Sequence, residues 1–465
     1  MKNKYFKRLI LLITLILSTL FLIACKNQDD GNKIPPDNHT LYREIIREDI
    51  PQVLLDELEL GFHFFWDLAN TDKNSGAYGL IPDRYDTKNN RGGNVASIAS
   101  VGFGLSAIPI GIEADFITRE EGEERAYYTL LTFKNDLDRI NGFWFHFLSM
   151  LDGQRVWQSE LSIIDSAIMI NGALVVGRYF GGRVQKLAYE LYEEMQWNWY
   201  FDHNANKFYM GYWPERNPQF QGYWNGYAEQ LMLFILAAGS PTYSVSKGAY
   251  QLMKFNSTLV AATADYGSFY PTWTGSLFTH QYSHAWFDFR LYNDQNGFNW
   301  FTNSVNAVDA AIAYAKTQTS IHQGIHENSW GMSASDGPGD TISSGDVYRG
   351  NYGSGPAQGS NSFIVDGTVP AYGAIGSIVF RPEQAIAAIE NYRTYENFWS
   401  TYGFKGAYNL SKFSTPWFAK DIIGIDKGIS ILMIENYLSE MIWKIYMEVP
   451  YIEIAIEELD FQSTT

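Results

Sequence analysis

Three carboxylates stand where carboxylates are not expected. Glu160 and Asp165 bracket the start of the apolar run 162–176, and Glu229 precedes Leu231–Gly239 with no Lys or Arg beside it. An acid next to a buried apolar segment is costly unless it is paired or used. Near a helix start it can also serve as a cap that favours the positive end of the dipole. Ser162-x-x-Asp165 is itself a cap pattern, so Asp165 reads either as a cap or as a functional acid, whereas Glu229 has no such explanation. Paired carboxylates suit glycoside hydrolysis, in which one protonates the leaving oxygen while the other activates water. Aromatic rings supply flat apolar faces for sugars. Here they cluster among polar residues: Trp144 with His146, Trp157, Trp197 with Trp199, Tyr209–Trp213, Trp224 with Tyr227, Trp273 and Trp286. Most of the aromatic residues must nevertheless be core.

The histidines raise a rival chemistry. His280/His284 and His322/His326 are spaced i, i+4, as zinc ligands on one helix face would be. Neither pair has the His-Glu-x-x-His form, and both lie in Gly/Ser/aromatic surroundings more typical of loops. No metal or cofactor is expected. His284, Asp288 and Arg290, with Trp286 among them, read as contacts to sugar or as a structural polar network. Asp336 and Asp366, each followed by Gly, are turn formers or sugar ligands, and Asp83-Arg84 is an ion pair or a substrate contact.

Hydrophobic periodicity gives about twelve helical segments to hold these residues. They start near Val53, Ala96, Thr118, Ser162, Arg183, Asn225, Val245, His284, Asn303, Thr368, Pro382 and Lys427, the last running to Met447. Thr118-x-x-Glu121 is a capping box, and Pro382 suits a first turn. Segments near 96, 162, 225 and 368 are rich in Gly, Ala and Ser and almost uncharged, which suits burial on all sides; those at 53, 118, 183, 303 and 382 are amphipathic. Inner helices alternating with outer ones predict an all-α (α/α)6 toroid, with short hairpins in the aromatic stretches 139–158, 200–224 and 260–282. Glu229 is expected in the first turns of its helix.

The chain of 465 residues carries 34 Lys+Arg against 51 Asp+Glu, a net charge of −17, which argues against nucleic acid as partner. Its single cysteine excludes a disulfide framework. Residues 1–8 are basic, 9–23 are apolar, and Leu22-Ile23-Ala24-Cys25 follows, the layout of an export signal. This ending resembles the bacterial lipobox, which implies cleavage after residue 24 and lipidation of Cys25, anchoring the protein outside the cytoplasm on the cell or outer membrane. Residues 25–45, polar and containing Pro35-Pro36, read as a flexible tether, and 46–465 as one catalytic domain.

Several motifs in order resemble the glycoamylase-like family of bacterial β-1,2-glucanases. They include Gly79-Leu-Ile-Pro-Asp-Arg84, Ala96–Gly104, Glu160-Leu-Ser-Ile-Ile-Asp165 and Tyr227-Ala-Glu229. His280–Arg290, Trp330–Gly337, Asp366-Gly-Thr, Gly424-Ile-Asp426-Lys-Gly and Met433–Tyr437 extend the match from about 55 to 447. The resemblance implies an (α/α)6 toroid that hydrolyses β-1,2-glucan to sophorooligosaccharides with inversion. It implies Glu229 as general acid, Glu160 as general base, and Asp152 and Asp165 as helpers. Transglycosylation, or glycan binding without turnover, are the alternatives.

Overall fold

The alternation of small-residue and amphipathic segments becomes a packing order. The computed structural model describes residues 50–464 apart from 256, 342 and 356–362. The export signal, Cys25 and the whole of the tether lie outside the described residues. In chain order the helices are α1 (Gln52–Leu68), α2 (Ile98–Glu113), α3 (Arg119–Asn135), α4 (Ile163–Phe180), α5 (Gly182–Glu193), α6 (Leu231–Ala238) and α7 (Gly248–Phe255). They continue with α8 (Trp300–Gln318), α9 (Ala371–Ile375), α10 (Pro382–Arg393), α11 (Gly424–Leu438), α12 (Met441–Met447) and α13 (Pro450–Glu458). The protein is mostly helical, and its strands form small antiparallel sheets of two to four strands.

Helices α2, α4, α6, α9 and α11 are buried almost all round, as their composition requires. α2 lies against both α4 and α11, α4 touches α6, and α11 touches α9. The α2–α4 contact is very close, because Gly102 and Gly172 face each other and a Cβ on either would collide with the other helix's backbone. α1, α3, α5 and α10 pack outside these helices. The Thr118 capping box is formed, with Glu121 N donating to Thr118 Oγ1 and Thr118 N donating to Glu121 Oε2.

A short strand leads directly into several inner helices: Val95–Ser97 into α2, Leu161–Ser162 into α4, Thr368–Pro370 into α9 and Asp421–Ile423 into α11. The sequence reading placed these residues inside helices or left them unassigned. Four other expectations change. The helix expected from Asn225 begins only at Leu231, because Gly226 takes a positive φ of 69°. His284–Tyr292 is a series of 3-10 turns instead of one helix. Lys427–Met447 is two helices broken at Glu440, whose φ is 63°. In 260–282 only an isolated bridge between Val260 and Phe269 forms, where a hairpin was expected.

α1 is tied to α11 by a buried ion pair between Glu57 and Lys427. Phe404 N donates to Glu57 Oε2 at 2.9 Å, and Lys427 Nζ also donates to the Phe404 carbonyl at 3.2 Å. Burial raises the Glu57 pKa in spite of the lysine. Breaking such a pair strands a charge, while replacing both members by apolar groups does not. Lys427→Met is therefore expected to lower stability by about 3–5 kcal/mol, and Glu57→Leu/Lys427→Met to recover most of that loss, as read from urea midpoints.

Candidate active site

The site grows from the strand that feeds α4. The extended segment 143–149 runs between the strands Val95–Ser97 and Leu161–Ser162. Its His146 backbone N–H donates to the Glu160 carbonyl at 2.9 Å, and its carbonyl accepts from Ile98 N at 3.2 Å. The entries to α2 and α4 are thereby stitched through one histidine. On the other side, Leu161–Ser162 pairs with Gly211–Tyr212 of the hairpin strand Lys207–Tyr212. Ser162 caps α4 by accepting from Asp165 N at 3.2 Å, and its hydroxyl donates to Asp165 Oδ2 at 2.6 Å. The Ser162-x-x-Asp165 cap pattern is thus formed, with Ser162 as the cap and Asp165 as its hydrogen-bond partner.

Asp165 nevertheless does more than partner the cap. His146 Nδ1 lies 2.9 Å from Glu160 Oε1, and its Nε2 lies 3.5 Å from Asp165 Oδ1. Burial alone would hold His146 neutral, but the charges of Asp165 and Glu160 outweigh it and carry its pKa to about 9. Burial likewise pushes Glu160 up, but the hydrogen bond and charge of His146 leave its pKa below the ordinary value. Glu229 is the opposite case. Burial, with the Asp165 charge adding to it, raises its pKa to about 7, only partly offset by a backbone hydrogen bond. Its backbone is pinned: Ser283 Oγ donates to the Glu229 carbonyl at 2.6 Å and accepts from Met232 N at 3.0 Å. Glu229 thus stands in the turn that leads into α6, next to the N-cap Gln230, not within the helix as expected.

A second acidic group adjoins the first. Arg84 Nε meets Asp83 at 3.1 Å, and its guanidinium also reaches Asp336 and, at 3.7 Å, Asp421. Asp83 feels the charges of both His146 and Asp165, so the two groups are electrostatically continuous. Asp426, in the first turn of α11, is buried with its Oδ2 unpartnered. Burial, and then repulsion from Asp336, hold its pKa well above the usual range. The Tyr282 hydroxyl feels Asp426, Glu229 and Asp165 together.

The other expected site residues lie elsewhere. His284 is buried, shares a 2.9 Å hydrogen bond with Ser304 and is surrounded by Phe289, Phe301 and Phe380; burial lowers its pKa to about 3. Trp286 is fully buried, stacked on Phe103, with its indole N–H donating to Ser106 Oγ. Asp288 holds Arg290 through two bonds of 2.7 and 2.8 Å, and Arg290 continues to Glu440 and lies over Trp443. This quartet is structural, because the 280–290 segment turns its polar atoms inward. Tyr227 is buried and stacked on Trp300 at 4.5 Å. Trp224 is half-buried, its backbone N–H bonded to the Phe208 carbonyl. Asp152 is exposed and closes a turn by accepting from Gln154 N. Asp336 does join the site, as an Arg84 partner.

Sequence reasoning passed over His146 as one more residue of an aromatic cluster, and it quoted Asp426 only inside a motif. Their polar character next to apolar helix starts was the available signal. Among the described residues, one cluster could hold a cation: ligand atoms of His146, Glu160 and Asp165 lie within 4.8 Å of one another. Within it His146 is hydrogen-bonded to Glu160, while Asp165 accepts from the Ser162 hydroxyl.

A mostly helical body with strand-fed inner helices, and carboxylates gathered at the entries to those helices, defines the class of protein. Residues 221–450 match the Glycoamylase (glucoamylase) family model. The chain is 26% identical over 443 residues to an exo β-1,2-glucooligosaccharide sophorohydrolase of Parabacteroides distasonis, covering 87% of this chain and 57% of that protein. It thus spans little more than half the length of that curated relative. The endo-β-1,2-glucanase of Chitinophaga pinensis, in complex with sophorotriose and glucose, superposes with a TM-score of 0.76 at 26% identity, over 89% of this chain and 98% of that one. A β-1,2-glucanase structure from Parabacteroides distasonis shares the fold, with a TM-score of 0.73 at 22% identity over 88% of this chain and 60% of that one. The chain is thus similar to the glycoamylase-like family in sequence and in fold.

Held between Glu160 and Asp165, His146 stays protonated well above neutral pH. Imidazole NMR should place its titration near 9 in the wild type and lower in Glu160→Gln, where one of its anionic partners is lost. A wild-type midpoint near the ordinary 6.5 would contradict it.

Proposed function

We propose that this protein is a glycoside hydrolase acting on β-1,2-glucan and releasing sophorooligosaccharides by an inverting acid/base mechanism. The observation that carries the reading is the split between two neighbouring kinds of carboxyl. Glu229 is held near pH 7 by burial, while Glu160 is kept ionised by His146. Carboxyls whose environments push their pKa values apart are what acid/base hydrolysis of a glycoside needs. Glu229 is the general acid that protonates the departing glycosidic oxygen. Glu160 is the base, acting on water directly or through a sugar hydroxyl. Asp165 keeps Glu229 protonated and His146 charged. The names of the Parabacteroides and Chitinophaga proteins, both of which specify β-1,2-linked glucans, support the substrate.

We further infer that the inner helices, paired in the order α11–α2–α4–α6 and continued by the 282–285 turn against α11, belong to a closed (α/α)6 double ring. The lipobox-like Leu22–Cys25 supports export as a lipid-anchored protein, with 46–465 as the catalytic domain.

Incubation with linear β-1,2-glucan should yield short sophorooligosaccharides, and Glu229→Gln should lower kcat by about 10²–10⁴-fold. Measurable binding with no shortened chains would favour a surface glycan-binding role. Transfer products longer than the substrate would favour transglycosylation. Full activity of the Glu229→Gln protein would remove the acid assignment.

A further inference from the structure

The loop between His146 and Glu160 carries a side chain that neither the core nor the carboxylate cluster uses. Trp157 is 70% exposed, the most exposed of the fourteen tryptophans, six of which are buried. Its backbone φ is 56°, and that of Gln158 is 48°. Two consecutive non-glycine residues in this region are unfavourable and persist only where the surroundings over-determine them.

The surroundings do so here. Arg155 Nε donates to the Ser159 carbonyl at 2.6 Å, bridging the two residues, and Val156 N and Ser159 Oγ bond to the Phe147 carbonyl at 3.1 and 3.3 Å. The Arg155 guanidinium forms a bidentate pair with Glu215 at 2.9 and 3.0 Å, fastening the loop to the neighbouring hairpin. A flexible surface tryptophan would need none of this. The indole rests edge-on against Phe147, with ring centres 5.2 Å apart. Phe147 in turn stacks on the His146 imidazole, which bonds Glu160. From the other side, Trp213 packs over Gly211, beside the Glu160 side chain.

We propose that Trp157 is a sugar-binding platform: its exposed indole face stacks on a pyranose ring of a β-linked glucan chain whose next units lead to Glu160. This assignment rests on the hydrolase reading and adds a subsite to it. The pinned backbone presents the ring without an ordering cost at each binding event, which is how a preorganised contact gains affinity. Trp157 touches substrate only in this binding role and takes no part in proton transfer.

The test compares the wild type with Trp157→Ala and Trp157→Phe on linear β-1,2-glucan and on β-1,3- and β-1,4-glucan oligosaccharides, measuring Kd by calorimetry and KM and kcat by product release. Circular dichroism melting checks folding, which an exposed side chain should not affect. For whichever glucan the wild type binds, Trp157→Ala is expected to raise Kd and KM about 5–10-fold with kcat little changed, and Trp157→Phe to restore part of the affinity. Unchanged Kd and KM in Trp157→Ala, with a wild type that binds or cleaves, would overturn the platform alone. A wild type that binds none of these glucans would overturn the hydrolase reading and the platform with it. A loss confined to kcat would also contradict the platform, because a stacking residue acts through binding.

Discussion

Negative charge withdrawn from water is the constraint on which this structure depends. Glu160, Asp165, Glu229, Asp83, Asp336 and Asp426 converge on the entries to the inner helices, and the site sets few cations against them: His146 and Arg84 directly, and Lys427 paired with Glu57 behind Asp426. Mutually repelling carboxyls in a poorly solvated place cannot all ionise. Burial raises Asp83 and Asp336 even beside Arg84, so burial and cations act together. His146 keeps Glu160 charged, whereas Glu229 and Asp426, with no cation hydrogen-bonded to them, are pushed toward the protonated form. The ionisation of Glu160 thus depends on where one imidazole lies.

The fold holds that imidazole. The strands ahead of α2 and α4, with the 143–149 segment between them, fix the His146 backbone to Ile98 and Glu160, so its side chain reaches both Glu160 and Asp165. The close crossing of α2 and α4 through Gly102 and Gly172 keeps the two helix starts side by side. On the opposite side, Ser283 holds Glu229 by its carbonyl and the start of α6 by Met232 N. Small residues within the inner helices therefore have a chemical consequence at their ends.

Much of this was legible in the sequence, and the misses have physical causes. Composition separated buried from amphipathic helices because a helix without a polar face must be surrounded by protein. Glu229 and Glu160 stood out as acids beside apolar runs. The 280–290 segment misled, because His, Asp and Arg among aromatics look alike whether they face a ligand or, as here, pack against protein: the histidine is buried against Ser304 and the aspartate holds the arginine. The short strands ahead of the helices were not seen, since two or three residues are too few to show a period of two. His146 was undervalued because its significance comes from Asp165 and Glu160, which are distant from it in sequence by 14 residues or more and reach it only through strand pairing.

In the proposed mechanism Glu229 works as an acid at neutral pH because burial and the Asp165 charge hold its proton. The pH dependence of kcat/KM on β-1,2-glucan, for wild type and Asp165→Asn, tests it most directly. A group that must be protonated loses its function as pH rises through its pKa, so the wild-type profile should fall with a midpoint near 7. Removing the Asp165 charge should move that limb to lower pH. A profile flat to pH 9, or an alkaline limb unmoved by Asp165→Asn, would contradict the account.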